Sequence, residues 1–252
     1  MIRIICVARC AGLSQRDRHV LCYILKKTLH LLFGFRIMRV TEKGSDNLTE
    51  RLESKKRNRK VQITDKAIKK VPRIKYKEIP ENEYDNIWDL AKQVLEISQK
   101  ENDSNEVAIT YSLENKKLIE QDEEYIGIAF GDEHEVDPME STTAYHLIMS
   151  SEPCVVIVLH SHPSLSKLSL TDVRFLLEHD SVKMIVAITN LGRASYLVKK
   201  DTYSYETAIR IFNDAVTLHN QAKEKPRLKK TQKAADYFLK NCFEAGIIYD
   251  DR

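Results

Sequence analysis

The stretch that decides the fold is Cys154-Val155-Val156-Ile157-Val158-Leu159-His160-Ser161-His162-Pro163. Its first six residues carry no charge and no strong hydrogen-bonding side chain, a pattern that suits a strand covered on both faces. Pro163 cannot donate to a strand ladder, so it ends the strand and sets His160 and His162 at its mouth. In an extended chain, residues two apart share a face and lie roughly 6.6 Å apart. Two imidazoles so placed can converge on one ion at about 2.0–2.1 Å each.

The chain then runs from Pro163 through Leu168 to Ser169-Leu170-Thr171-Asp172. A Ser followed three residues later by an acid, ahead of an apolar stretch, opens a helix. The helix expected over 171–179 carries Asp172 in its first turn. Two neutral imidazoles and one carboxylate leave a fourth tetrahedral position open, the ligand count of a catalytic zinc site. Taken singly the pieces have plainer readings. Polar pairs are common at strand ends, and Ser169-x-x-Asp172 is also a capping box with its acid at the positive end of the helix dipole. Together they predict a zinc centre on His160, His162 and Asp172.

Working outward, helices and strands alternate. Ile87, Leu90, Ala91, Val94 and Leu95 recur at helical spacing and predict a helix over 84–99. Residues 106–113 and 125–130 read as strands, rich in β-branched and aromatic residues. Asp137 and Pro138 are the cap and first position of a helix over 138–149. Strands are expected at 182–189 and 194–198, then helices at 203–218 and 231–245, the last stopped by Gly246. The class is α/β, a mixed sheet sandwiched by helices, with C-terminal helices.

His160-Ser161-His162-Pro163 followed by Ser169-x-x-Asp172 resembles the JAMM (JAB, MPN+) metalloprotease motif. That family includes the eukaryotic deubiquitinating isopeptidases and the bacterial RadC-like proteins. The resemblance covers about residues 100–200. It implies a JAB/MPN-like fold with cytidine-deaminase-like layering, one zinc ion, and hydrolysis of a peptide or isopeptide bond in a protein substrate by metal-activated water. It also implies an upstream Glu at the start of a strand as general base, and Glu106 stands in that place. Ser169 would donate to the oxyanion. The family usually has seven residues between the second His and the Ser, whereas Pro163 to Leu168 are six. A branch of phage- and mobile-element-associated JAB domains resembles this chain in that shorter loop. Glu120, Glu123, Glu124, Glu133 and Glu135 are rival bases, because that stretch is dense in acid.

Two other classes compete. One is a different metal hydrolase of the polymerase-and-histidinol-phosphatase or amidohydrolase kind, which also uses His-x-His. Those barrels need further histidines on later strands, and only His179 and His219 follow. The other is a non-catalytic JAB-fold binding module.

A net charge of +3 conceals an asymmetry: residues 1–80 sum to +14, 81–200 to −12 and 201–252 to +1. The expected organisation is an N-terminal extension over 1–37, a basic linker or tail over 38–80, a metal-hydrolase domain over 81–200 and a helical extension over 201–252. The basic stretch carries Lys55, Lys56, Arg57, Arg59 and Lys60, and suits a nucleic acid or an acidic partner. Residues 1–37 hold three of the five cysteines and pattern into nothing later, and Met38 is a second candidate start. The odd cysteine count, without framework spacing, points to a reducing, cytoplasmic setting. Lys26 and Lys27 interrupt the one candidate membrane segment, which is also short of the ~20 residues needed. Cys154 is expected as a small core residue.

Overall fold

The structure, a computed structural model, describes residues 60–114, 126–163, 167–221 and 227–252. The expectations for residues 1–37 and for the arm up to 59 lie outside the described residues.

A six-stranded mixed sheet forms the centre, in the order β2-β1-β3-β4-β5-β6. The strands are β1 (Val107–Ser112), β2 (Ile126–Phe130), β3 (Val156–His162), β4 (Val182–Thr189), β5 (Ala194–Lys199) and β6 (Ile247–Asp251). Only β3 and β4 run parallel. The crossover between them is α4 (Leu170–Glu178), the fourth helix after α1 (Asp65–Ile68), α2 (Tyr84–Glu101) and α3 (Thr142–Ser150). Two further helices, α5 (Tyr205–Gln221) and α6 (Arg227–Asn241), pack on each other. All residues of β1, β3, β4 and β5 are buried, as strands sandwiched between helices must be.

One face of the sheet packs under α2. Ile109, Tyr111, Ile157, Leu159, Val186 and Tyr196 form a single core with Ile87, Leu90, Val94 and Leu95 of α2. The opposite face carries α3 against β1 and β2, and α4 against β4. Gly127 is the point of closest approach there: a Cβ on it would run into the Ala144 backbone at the start of α3. Among the described residues, no helix is long and apolar enough to cross a membrane.

Several expectations change. The described part of the supposed linker is core. Ile63, Ala67, Ile68, Val71, Ile74, Tyr76 and Ile79 are all buried, most of them in the α2 core. Their alternation with lysines makes the stretch polar on average but apolar on one side. Residues 201–252 are likewise no appendage, because β6 pairs with β5 and forms one edge of the sheet. The helix expected over 138–149 starts as a 3₁₀ turn, Pro138–Glu140, and restarts at Thr142. The Ser141 side chain provides the second cap. The last helix also ends in a 3₁₀ turn, Cys242–Ala245, with Gly246 at φ +70° as expected of a left-handed stop. Cys154 is half-buried at φ +61° in the turn before β3 and is not a core residue.

Candidate metal centre

Three side chains expected to meet do meet. β3 runs on through His162, so His160 and His162 lie on one side of the strand, both buried. Their Nε2 atoms are 2.8 Å apart. Asp172 enters from the first turn of α4, with Oδ1 3.2 Å from His160 Nε2 and Oδ2 3.6 Å from His162 Nε2. The candidate ligand atoms all lie within 4.8 Å of one another, and this is the one such cluster among the described residues. A single cation with bonds of about 2.0–2.2 Å can reach all three. The centre sits beyond the carboxyl end of parallel strand β3, where the chain turns into its crossover helix, the usual place for a site in such sheets.

The approach of Asp172 follows from how α4 begins. Ser169 Oγ accepts the Asp172 amide at 3.2 Å, and the Asp172 carboxylate accepts the Ser169 amide at 2.6 Å, a complete capping box. Leu168 and Val173, on either side of the cap, are fully buried, the pattern of a hydrophobic staple. The same carboxylate therefore closes the capping box and faces the two imidazoles.

Electrostatics fit a cation. Burial alone would raise the Asp172 carboxyl, but His160, His162 and the Ser169 amide together hold it well below the usual carboxylate range. It is ionised, the form that ligates. Burial works against protonation of His160, yet Asp172 and then Glu106 outweigh it and raise the imidazole.

Glu106 stands just ahead of β1. Its amide donates to Asp132 O at 2.9 Å and its carbonyl accepts from Gly131 at 2.8 Å, so Gly131 and Asp132 together face Glu106 in a bulge at the end of the β1–β2 ladder. In the antiparallel β1–β3 register Ala108 lies opposite His160. Continuing that register two residues brings Glu106 opposite His162, on the same side of the sheet. The residue is only 8% exposed. Burial pushes its carboxyl up to about 8; His160 pulls it down, and Asp172, Asp132 and Glu135 push it further up. Of its rivals, Glu133 and Glu135 are exposed on the turn after β2, while Glu120, Glu123 and Glu124 lie outside the described residues.

Two residues act here that spacing did not single out. Ser161, fully buried between the histidines, accepts the Val107 amide at 2.9 Å and donates to Asn105 O at 3.3 Å. It thereby fixes the backbone on both sides of Glu106. Asn190, at the end of β4, donates its amide to His162 O at 2.9 Å. Its side chain donates to Val61 O at 2.7 Å and Ser104 O at 2.9 Å. The only sequence signals are a serine between two histidines and a polar residue closing a buried strand.

The other histidines among the described residues stand apart. His134 and His146 are exposed. His179 caps the end of α4, where burial lowers its pKa. His219 is buried on α5 and contacts Thr231 Oγ1 at 3.3 Å.

Comparison with known proteins finds no match among family models, curated proteins or solved structures.

Proposed function

We propose that the chain is a zinc-dependent peptidase or isopeptidase of the JAMM type, with a JAB/MPN-like fold. The observation that carries the reading is the convergence of His160, His162 and Asp172 at the end of a buried strand, with Glu106 buried on the same side. The donor set of two imidazoles and one carboxylate fits zinc and leaves room for a further ligand. Bound zinc would supply a water that ionises near pH 7 and would polarise a carbonyl.

The chain's own groups have defined tasks. Asp172 stays ionised because its neighbours favour the anion. Glu106 has a carboxyl near 8, so it can both take up and release a proton around neutrality; a nearby cation would draw it lower. It would accept a proton and return it to the leaving amine. Ser169 Oγ already accepts the Asp172 amide, so its own hydroxyl proton remains to donate to a developing oxyanion. Ser161 and Asn190 position the strand ends on which these groups sit.

The reading is tested by purifying the protein without chelator, measuring metal by elemental analysis, and assaying the zinc-loaded form. Peptide and isopeptide libraries are run beside a phosphoester panel. Cleavage of an amide bond, lost on chelation and restored by zinc, supports it. Phosphoester cleavage alone would favour a different metal hydrolase, and zinc binding without turnover a binding module.

A further inference from the structure

The segment that packs beneath α2 buries one side and exposes another. Between the buried residues Ala67, Ile68, Val71, Ile74 and Tyr76, the exposed ones are Lys66, Lys69, Lys70, Arg73, Lys75 and Lys77. Arg193, exposed on the β4–β5 turn, joins them, because Lys70 packs beside Gly192. The acids within the segment, Asp65 and Glu78, lie at its two ends. Arg73 pairs with Asp85. Among the described residues, Lys66, Lys69, Lys70, Lys75, Lys77 and Arg193 take part in no ion pair.

The backbone under these cations is held firmly. Trp88 Nε1 donates to Val71 O at 3.0 Å, and Tyr84 Oη donates to Tyr76 O at 2.9 Å. Lys92 lies 3.5 Å over the Trp88 ring but is paired with Asp89 at 2.7 Å, so it adds no free charge to the row.

We propose that this row of cations is a binding surface for the phosphate backbone of a nucleic acid. Unpaired cations on an ordered backbone neutralise phosphates without the further cost of ordering the chain that carries them. From Val71 to Tyr76 the chain has neither helix nor ladder, and from Arg73 to Lys77 exposed and buried residues alternate. In such a stretch alternate side chains are about 6.6 Å apart. That is close to two nucleotides of one DNA strand, at about 3.4 Å each. A membrane surface fits worse. Among the described residues the exposed large apolar side chains are Phe130, Tyr145, Leu191, Leu218 and Phe243, and only Leu191, on the turn beside Lys70, borders the row, too little to anchor it in a membrane. The proposal is independent of the metal centre's activity.

The test uses the full chain and fluorescence anisotropy with a labelled duplex and its single strand, across a salt series. In one variant Lys69, Lys75 and Lys77 are changed to Glu, and in a second to Gln. A third changes Lys55, Lys56, Arg57 and Arg59 of the preceding arm to Ser. A control changes Lys100 and Lys240 to Glu. Thermal melts establish which variants fold, and the Gln set decides if the Glu set does not. Expected is a fall of about tenfold or more in affinity at low salt for the Glu set. The slope of log K against log salt should flatten by about 0.9 for each phosphate no longer neutralised, so by about 2.7 for three. Three outcomes would overturn the proposal: binding abolished in the arm variant but untouched in the Lys69, Lys75 and Lys77 sets; an equal fall in the control; or a polyglutamate peptide bound as tightly as DNA.

Discussion

Asp172 accepts the Ser169 backbone amide through Oδ2 at 2.6 Å and holds Oδ1 3.2 Å from His160 Nε2. One carboxylate thus caps α4 and completes the cluster at the end of β3. The geometry ties the start of the crossover helix to the histidine pair, so a change in either is felt by the other. Stability and metal affinity should therefore be coupled at this residue.

Zinc should bind at about one equivalent per chain, and His162→Ala should retain less than about a tenth of it, because two ligands hold zinc poorly. Elemental analysis measures the content directly. A chelator should lower the melting temperature of the wild type and leave that of His162→Ala unchanged, since a ligand that binds only the folded state stabilises it. Full zinc in the variant would remove His162 from the site.

Glu106→Gln should keep zinc and the fold, because the amide is nearly isosteric and Glu106 is outside the ligand cluster. It should lose roughly 10²–10⁴-fold in rate, the usual worth of a positioned base. Near wild-type turnover in an otherwise active preparation would clear Glu106 and turn attention to the acids between β1 and β2.

The chelated protein should lose stability as pH rises from about 4.5 to about 8. The Glu106 carboxyl is raised to about 8 in the fold. Between its unfolded and folded values the native state therefore holds the extra proton, and stability falls with rising pH. His160 works in the same direction. Its folded pKa is raised, so its contribution is complete below the unfolded value and fades as pH passes the folded one. Glu106→Gln should flatten the dependence without abolishing it. Urea midpoints at the two ends of the range provide the measurement, and an unchanged slope in the variant would contradict the burial argument.

How far the sequence could be read depends on the kind of pattern. From Tyr84 to Lys199 the apolar periodicity is strong, and each expected strand and helix forms within a few residues of its expected bounds. The candidate metal cluster was legible because its three residues sit in one short segment whose local geometry brings them together. Glu106 is 54 residues away, and its placement rests on a strand register that no local pattern reveals. Residues 60–80 were misread because lysines alternate with isoleucines, so average polarity hid a continuous buried side. β6 was missed because its polar end, Asp250-Asp251, interrupts the apolar run after two isoleucines and a tyrosine. Ser161 and Asn190 act largely through backbone groups, which residue type alone does not announce.

A chain beginning at Lys60 should melt cooperatively, whereas one beginning at Glu81 should not. The second removes Ile63, Ile68, Val71, Ile74, Tyr76 and Ile79 from the α2 core. Truncating even one such side chain to Ala costs about 2–5 kcal/mol, against a total stability of about 5–15 kcal/mol. Circular dichroism melts of the two truncations decide it. A cooperative, wild-type-like melt from Glu81 would mean the segment is packed on the domain without supporting it.

Ser169 is the residue whose two roles can be separated. Ser169→Ala removes the cap to the Asp172 amide, at a cost of about 1 kcal/mol, and also removes the hydroxyl proposed for the oxyanion. Ser169→Asn retains a capping oxygen without the hydroxyl, and Ser169→Thr retains both. Stability should therefore fall in the Ala variant and recover in Asn and Thr. Turnover should fall roughly 10²–10³-fold in Ala and Asn, the loss typical of one oxyanion donor, and survive in Thr. Zinc content needs to be measured in all three, because the cap also orients a ligand. If Asn recovers turnover together with stability, the hydroxyl serves the helix alone and the oxyanion must find its donor elsewhere.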